Sequence, residues 1–511
     1  MSEDQLFIGI DSGTQGTKGV VFSREEGRIL AEAYTDHQLI ENIDGRREQE
    51  PGWWIEACST VIGQLLQKNT VSRDMVCAIG VSGQQHGMVL LDAQGEVIRP
   101  AKLWCDTETS PQCDQITARI GSPEKVIELI GNSVAAGFTA SKILWLKQHE
   151  PQNYERLATV LLPHDYINYW LTGEKKTEFG DASGTAYFDV KTRTWSDALL
   201  NAIDDSRKLQ DCLPELIPPD APVGTIKTEI AEQFQLKSDI LVSSGGGDNM
   251  MAAIGTGNVI PGIVTTSLGT SGTIYSFSDK PVIDPNGELA AFCSSSGGWL
   301  PLVCTMNVTV PTELTRDLLG LSLADLNHLA SSAPPGAEGI LLLPYFNGER
   351  TPALPTAKAV FFGLTGTNYI ASNLARASME GATLGLRYGL DVLRQQGITP
   401  TEIRLVGGGA KSPLWRQMVA EIFNCPVVCP ESSEAGAVGA ALQAMWCFIR
   451  QKGSDVAISE LTDRYITIDE STRTVPDTSI AARYAEIYQK YLRLNDVMRP
   501  MFKVLEIGQS Q

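Results

Sequence analysis

Leu6-Phe-Ile-Gly-Ile-Asp-Ser-Gly-Thr-Gln-Gly-Thr-Lys-Gly-Val-Val-Phe22 and Ile263-Val-Thr-Thr-Ser-Leu-Gly-Thr-Ser-Gly-Thr-Ile-Tyr-Ser-Phe277 lie half a chain apart and share one pattern. In each, an apolar β-prone run meets Gly-Thr-x-Gly and a second β-rich run follows. That order predicts two strands joined by a tight hairpin turn. Such a turn exposes backbone N–H groups around a hydroxyl. Clustered N–H dipoles form an anion-binding concavity, and glycine lets a phosphate approach closely. The repetition predicts two related halves, each presenting one turn, so that a polyphosphate is gripped from both sides.

The composition agrees with a soluble multidomain protein. A chain of 511 residues is too long for a single core. Apolar residues make up 43% and charged residues 20%, which is ordinary for a globular fold. The net charge of −19 excludes a nucleic-acid partner, which needs a basic footprint. It does not exclude ATP, whose site needs only local donors and a metal. Ten cysteines occur without a C-x-x-C pair, which argues for small core residues in a reducing compartment rather than a zinc site. No run of eighteen apolar residues is present, so no membrane partner is expected. The expected location is cytoplasmic.

Periodicity predicts a mixed α/β order. A third strand is expected over residues 27–34, a helix from Trp53 to Lys68, and a buried strand over Met75–Ser82. Met88–Asp92 and Val97–Pro100 read as a hairpin around Gly95. Helices are expected over Phe138–His149 and Pro163–Leu171, and a proline-rich loop over 213–224. A strand ending at Val242 runs into Ser243-Ser-Gly-Gly-Gly-Asp-Asn249, with a helix to Gly257 and a domain junction at Pro261-Gly262. The second half repeats the order. The strand Ile403–Val406 enters Gly407-Gly-Gly-Ala410, and helices follow over Pro413–Phe423, Glu434–Arg450 and Ala481–Leu494.

Several residues suit phosphoryl transfer. Asp11 lies at the tip of the first strand beside the predicted phosphate turn, where a carboxylate needs an intervening cation. Mg²⁺ fits, since it takes few carboxylates plus waters and phosphate oxygens. Lys18 adds positive charge in the next strand. Asp248 ends a glycine run at a helix start, where it reads either as a helix cap or as a base accepting a substrate hydroxyl proton. Ser82-Gly-Gln-Gln-His-Gly87 gathers neutral amide and imidazole groups suited to a polyol. Gly13-Thr-Gln-Gly-Thr-Lys18 is not a Walker A sequence, and no complete G-x-G-x-x-G follows a strand.

Taken together, these residues resemble the FGGY family of carbohydrate kinases. Gly137-Phe-Thr-Ala-Ser-Lys-Ile-Leu-Trp-Leu-Lys-Gln-His149 is similar to one family signature. Val360-Phe-Phe-Gly-Leu364 through Asn373-Leu-Ala-Arg-Ala-Ser-Met-Glu380 is similar to the other. The resemblance implies an α/β fold of two actin-like (ribonuclease H-like, ASKHA) domains with a cleft between them. Residues 1–255 would form the sugar-side domain and 256–511 the nucleotide-side domain. The implied reaction is transfer from ATP, with Mg²⁺, to a terminal hydroxyl of a ketopentose, D-xylulose being the expected substrate. The partners implied are a small sugar and a second copy of the chain. Asp248 would be the catalytic base, and Asp11 would act beside the metal through water. Gln85, His86, Asn249 and Trp104 would bind sugar. Gly13, Thr14, Gln15, Lys18, Gly269, Thr270, Gly408, Gly409 and Ser412 would bind ATP. The chain departs from the family pattern at Trp104-Cys-Asp106, where Trp-Asn-Asp is common. It departs again at Asn307–Thr315, where Pro311 stands in a segment that is usually a small-residue helix.

Two other classes share parts of this pattern. An ATP-driven binding machine of the actin or Hsp70 type also duplicates the phosphate hairpin, but it lacks the Gly-Gly-Gly-Asp-Asn and Gln-Gln-His clusters. A dinucleotide oxidoreductase would need the missing glycine fingerprint. Within the sugar-kinase class, another pentulose, hexulose or polyol is the alternative substrate.

Overall fold

The computed structural model describes residues 4–42 and 45–507. Packing divides the chain into two units. The first comprises Met1–Ile260, Phe277–Pro301 and Glu434–Ile466, and the second Pro261–Ser276, Leu302–Ser433 and Thr467–Gln511.

In the first unit, Leu6–Ser12, Gly16–Ser23 and Arg28–Asp36 form an antiparallel meander. Val76–Gly83 pairs parallel with the first of these strands. Leu241–Ser243 pairs parallel with Val76–Gly83, and Pro222–Thr225 closes the edge antiparallel. The first strand alternates between two buried faces, as a covered sheet requires. Leu6, Ile8 and Ile10 join Trp54, Cys58, Val61, Ile62 and Leu65 of the helix Pro51–Leu66 in one core. Phe7 belongs to the opposite core, with Ile254 and with Ala437, Ala440, Ala441 and Ala444 of the helix Ala435–Gln451.

Glycine explains why a helix from so late in the chain belongs to this unit. A Cβ on Gly9 would lie 1.9 Å from the Ala437 carbonyl oxygen, and one on Gly80 would lie 2.1 Å from that of Ala440. On the neighbouring helix Asp248–Gly255, a Cβ on Gly255 would lie 1.9 Å from the Ala435 oxygen; one on Gly439 would lie 1.8 Å from the Met251 oxygen. Backbone therefore meets backbone at four points, a fit that only missing side chains allow.

The second unit repeats the strand order. Ile263–Ser267 and Gly272–Ser276 form the hairpin, and residues 302–305 of the strand Trp299–Thr305 add a third antiparallel strand. Glu402–Val406 pairs parallel with the first strand, Val427–Pro430 parallel with that, and Ile468–Thr474 closes antiparallel. This duplicated order is the actin-like (ribonuclease H-like) arrangement that the family resemblance implies, and it realises the two related halves expected from the repeated hairpins.

The helices fall where the periodicity places them, at Pro51–Leu66, Thr139–His149, Pro163–Thr172, Asp248–Gly255, Pro413–Phe423 and Ala435–Gln451. The last helix runs longer than expected, from Thr478 to Ile507. The proline-rich stretch is not a plain loop, since it holds the strands Glu215–Ile217 and Pro222–Thr225. Pro222 opens an edge strand, where its missing N–H is tolerated, and Val223 is buried beneath it. Among the described residues, no helix is long and apolar enough to cross a membrane.

Candidate active site

Parallel pairing brings the first unit's functional residues into rows. Asp11 lies opposite Ser82, and Ser82 lies opposite Gly246; Ser12, Gly83 and Gly247 form the next row. Asp11 and the residue after Gly247, Asp248, thus stand at the carboxyl ends of strands flanking Val76–Gly83. At about 4.8 Å per strand, their strands are roughly 10 Å apart. The carboxyl ends of parallel strands are where open α/β sheets bind ligands.

Asp11 Oδ1 accepts a 2.6 Å hydrogen bond from Ser82 Oγ. Burial, opposed by that bond and by Lys18, raises its carboxyl above the ordinary range. Its other face meets the start of the helix Ala435–Gln451, where a Cβ on Gly436 would lie 2.5 Å from Asp11 Oδ2. Lys18 sits across the hairpin from Asp11, with its ammonium 2.9 Å from Glu434 Oε2. That lysine is therefore neutralised by a carboxylate rather than held free beside the turn.

The first turn closes with Gly13 N donating to Gly16 O at 3.0 Å. Thr14 Oγ1 donates to Gln84 Oε1 at 3.0 Å and accepts from Trp104 Nε1 at 3.0 Å. Gln49 Nε2 donates to the Thr14 carbonyl at 2.8 Å. The Thr14 hydroxyl, expected on phosphate, is thereby tied to the neighbouring strand end, while Gln15 is exposed at the tip.

Asp248 opens its helix behind Gly246-Gly247, with Oδ1 accepting from Asn249 N at 2.7 Å and Asn249 Nδ2 at 2.9 Å. Burial, then the charge of Asp11, pushes its carboxyl up to about 7, with a smaller upward push from Asp181. A carboxylate tuned near neutrality suits a general base. The glycine run before it is held by a residue that sequence reasoning missed. Gln443 Oε1 accepts from Ser243 Oγ at 2.8 Å and Gly245 N at 3.0 Å. Gln443 Nε2 donates to Ser244 Oγ and the Gly245 carbonyl, both at 2.9 Å. A lone glutamine inside a small-residue helix gave no signal beyond its polarity.

The first signature explains itself here. Lys142 Nζ donates to the His86 carbonyl at 2.6 Å and the Gly137 carbonyl at 2.8 Å. Thr139 Oγ1 also donates to the His86 carbonyl, at 3.2 Å. These donors hold His86 in the left-handed region, at φ 65°. Burial lowers the Lys142 amine to about 7. Phe138 packs its ring 4.5 Å from the His86 imidazole, and Phe292 lies 5.6 Å away. A Cβ on Gly137 would lie 2.5 Å from the Trp104 carbonyl oxygen, so that glycine admits Trp104. At the Trp104-Cys-Asp106 departure, Asp106 Oδ2 accepts from Arg47 N at 3.0 Å and Lys102 Nζ at 3.1 Å, anchoring the loop. Gln85 is turned inward, only 4% exposed, with Oε1 accepting from Asn249 Nδ2 at 3.0 Å.

The second unit holds the remaining expected residues. Gly409 N donates to the Leu268 carbonyl at 3.0 Å, which ties the Gly407–Ala410 run to the hairpin turn at Gly269 and Thr270. Gly407 has φ 88°, and a Cβ there would lie 2.9 Å from Leu268 backbone; one on Gly408 would meet nothing within 4 Å. Gly408 thus presents an open backbone face. Ser412 caps the helix Pro413–Phe423, and its hydroxyl donates to Asn327 Oδ1 at 2.6 Å. The Asn307–Thr315 departure remains helical, because Pro311 sits in the first turn of Val310–Leu319, where no amide donor is needed. Its leading loop grips the turn, with Val308 N donating to Thr270 O and Thr309 N to Gly269 O, both at 3.0 Å. The second signature forms a buried brace: Arg376 pairs with Glu380 at 2.7 Å, and the Tyr484 hydroxyl donates to Glu380 at 2.6 Å.

Family models give the class of protein that carries this arrangement of duplicated hairpin turns. The N-terminal domain model of the FGGY family of carbohydrate kinases matches residues 6–255, and the C-terminal domain model matches residues 264–448. The chain belongs to the FGGY family of carbohydrate kinases, which are phosphotransferases using ATP. It is 45% identical to the xylulose kinase of Haemophilus influenzae over 95% of this chain and 99% of that one. It is 35% identical to the xylulose kinase of Escherichia coli over 97% of this chain and 100% of that one. Among solved structures, the ligand-bound xylulose kinase of Lactobacillus acidophilus superposes with a TM-score of 0.91 at 26% identity, covering 98% and 100% of the two chains.

Proposed function

We propose that this protein transfers the γ-phosphoryl group of ATP to the terminal O5 hydroxyl of D-xylulose, giving D-xylulose 5-phosphate and ADP. The observation that carries the reading is Asp248, a carboxylate at the end of a glycine run whose pKa is lifted to about 7. The names of the relatives supply the sugar.

In this reading Asp248 accepts the O5 proton as that oxygen attacks the γ-phosphorus and the bond to the β-phosphate oxygen breaks. His86, Asn249 and Trp104 orient the sugar hydroxyls. In the first unit, the turn Gly13–Gly16 lies against the phosphates. In the second, Gly269, Thr270, Gly408 and Gly409 serve the nucleotide, with Ser412 fixing their helix. The charge of Asp11 raises the proton affinity of Asp248, and two carboxylates at neighbouring strand ends fit a divalent cation between charge and phosphate. Asp11 would hold Mg²⁺ through water, and the ion would neutralise phosphate charge. Lys18, paired to Glu434, shapes the surroundings of Asp11.

The test is ADP release with ATP and Mg²⁺ on a panel of D-xylulose, L-xylulose, D-ribulose, L-ribulose, L-fuculose and glycerol. D-xylulose is expected to have the highest kcat/KM. D-ribulose should be about tenfold poorer, since an epimer leaves site groups unpaired. A higher kcat/KM for any other sugar on the panel overturns the substrate assignment.

A further inference from the structure

Beneath the first turn lie two glutamines with no part in the reaction above. Gln49 ends the short strand Arg47–Gln49, Gln84 follows the strand Val76–Gly83, and both are fully buried. Their partners fix which way each amide points. Trp54 Nε1, which can only donate, gives its hydrogen to Gln49 Oε1 at 3.0 Å. Gln49 Nε2 donates to two carbonyls, which can only accept: Thr14 O at 2.8 Å and Gln38 O at 2.7 Å. With Gln49 so fixed, its oxygen also accepts from Gln84 Nε2 at 2.8 Å. Gln84 Oε1 is thereby left facing Thr14.

Thr14 closes the chain. Trp104 Nε1 has one hydrogen and gives it to Thr14 Oγ1 at 3.0 Å. The hydroxyl's own hydrogen goes to Gln84 Oε1, also at 3.0 Å. A threonine has a single O–H, so none is left to offer a phosphate. The carbonyls of the turn are taken in the same way. His37 Nδ1 donates to Gly13 O at 3.0 Å, Gln49 holds Thr14 O, and the His37 amide donates to Gln15 O at 2.8 Å. A trans peptide is planar, with its N–H opposed to its C=O. Three carbonyls held by these partners therefore turn the amides of Thr14, Gln15 and Gly16 away from them.

We propose that Gln84 and Gln49 are positioning residues of the phosphate turn. They hold Thr14 by its hydroxyl and its carbonyl, so that the turn meets a phosphate with backbone amides. The Thr14 hydroxyl is an internal tie that joins the turn to Trp104, and both ends of the chain are pinned by indole N–H groups that cannot reverse.

This inference rests on the kinase reading, and the sign of one substitution tests it. If the Thr14 hydroxyl bonded a phosphate directly, Gln84 would compete for its hydrogen, and removing Gln84 would lower the KM for ATP. As a tie, Gln84→Met should instead raise the KM for ATP about three- to tenfold, the range one neutral hydrogen bond is worth, and leave that for D-xylulose within about twofold. Gln84→Asn, shorter by one methylene, asks the same question should Gln84→Met not fold. Thr14→Val breaks both bonds, so KM should rise for ATP and D-xylulose together, and Thr14→Ser should recover most of that loss. The double variant Thr14→Val/Gln84→Met should lie within about twofold of Thr14→Val, because the shared bond is already gone. Without any substrate, the indole N–H signal of Trp104 in NMR, assigned by its loss in Trp104→Phe, should move in Thr14→Val. An unmoved signal, additive losses in the double, or an unchanged or lowered KM for ATP in the Gln84 variants overturns the inference. A wild type that phosphorylates no sugar on the panel overturns the kinase reading alone, and calorimetric affinity for a nonhydrolysable ATP analogue then takes the place of KM. A wild type that binds no analogue overturns both.

Discussion

Replacing Gly439 with alanine tests how the proposed base, Asp248, is held. Its new Cβ would lie 1.8 Å from the Met251 carbonyl oxygen and 2.7 Å from the Met251 carbonyl carbon, both fixed backbone atoms. Real Cβ contacts essentially never fall below 3.0 Å, so the helices Asp248–Gly255 and Ala435–Gln451 must separate by more than about 1 Å. Overpacking of this kind costs about 1–3 kcal/mol. Better helix propensity for alanine returns up to about 1 kcal/mol. The net loss should lower Tm by a few degrees. The larger effect falls on Asp248, the first residue of the displaced helix, whose glycine approach is also bonded to Gln443 on the other helix. A displacement of about 1 Å at a reacting group costs about 10²-fold in rate. The assay is coupled ADP release with D-xylulose alongside thermal unfolding. Gly63→Ala is the control, because a Cβ there meets nothing within 4 Å. It should gain up to about 1 kcal/mol with unchanged turnover. Gly439→Ala within twofold of wild-type kcat would refute the argument that close backbone packing sets the base.

Three further outcomes follow from the charges at the strand ends. As the proposed base, Asp248 must be ionised, and its carboxyl is lifted to about 7, so kcat/KM should fall about tenfold per pH unit below that value. A flat profile from pH 7 down to 5 would exclude it as the base. Asp11→Asn removes a charge that raises the Asp248 pKa, so residual activity should show its acid limb at lower pH. The same variant should need more Mg²⁺ for half-maximal rate, and an unchanged Mg²⁺ titration would remove Asp11 from the metal's surroundings.

How far the sequence carried this account depended on whether a signal was local. Gly-Thr-x-Gly between β-prone runs is a local signal, and both hairpins fall within a residue or two of expectation, at 6–23 and 263–276. The place of Asp248 at a helix start was legible because three glycines precede it. The inward turn of Gln85 was not, because its oxygen is bonded to Asn249, which comes from another part of the chain. The pairing of Lys18 with Glu434 was hidden for the same reason. The small residues of the helix Ala435–Gln451 announced close packing, but their partners Gly9, Gly80 and Gly255 lie far back in the chain. In the sequence the first signature is only a pattern, and the geometry shows Lys142, Thr139 and Phe138 holding His86. Pro222 misled because proline favours loops, whereas an edge strand has a place for it.

The most direct measurement is single-turnover conversion of D-xylulose and ATP by wild type and Asp248→Asn, with the product position read by phosphorus and carbon NMR. Loss of a general base typically costs about 10²–10⁴-fold. The account predicts D-xylulose 5-phosphate from wild type, and from Asp248→Asn a rate at least about 10²-fold lower with sugar binding retained. An Asp248→Asn enzyme forming the same product within tenfold of the wild-type rate would contradict it.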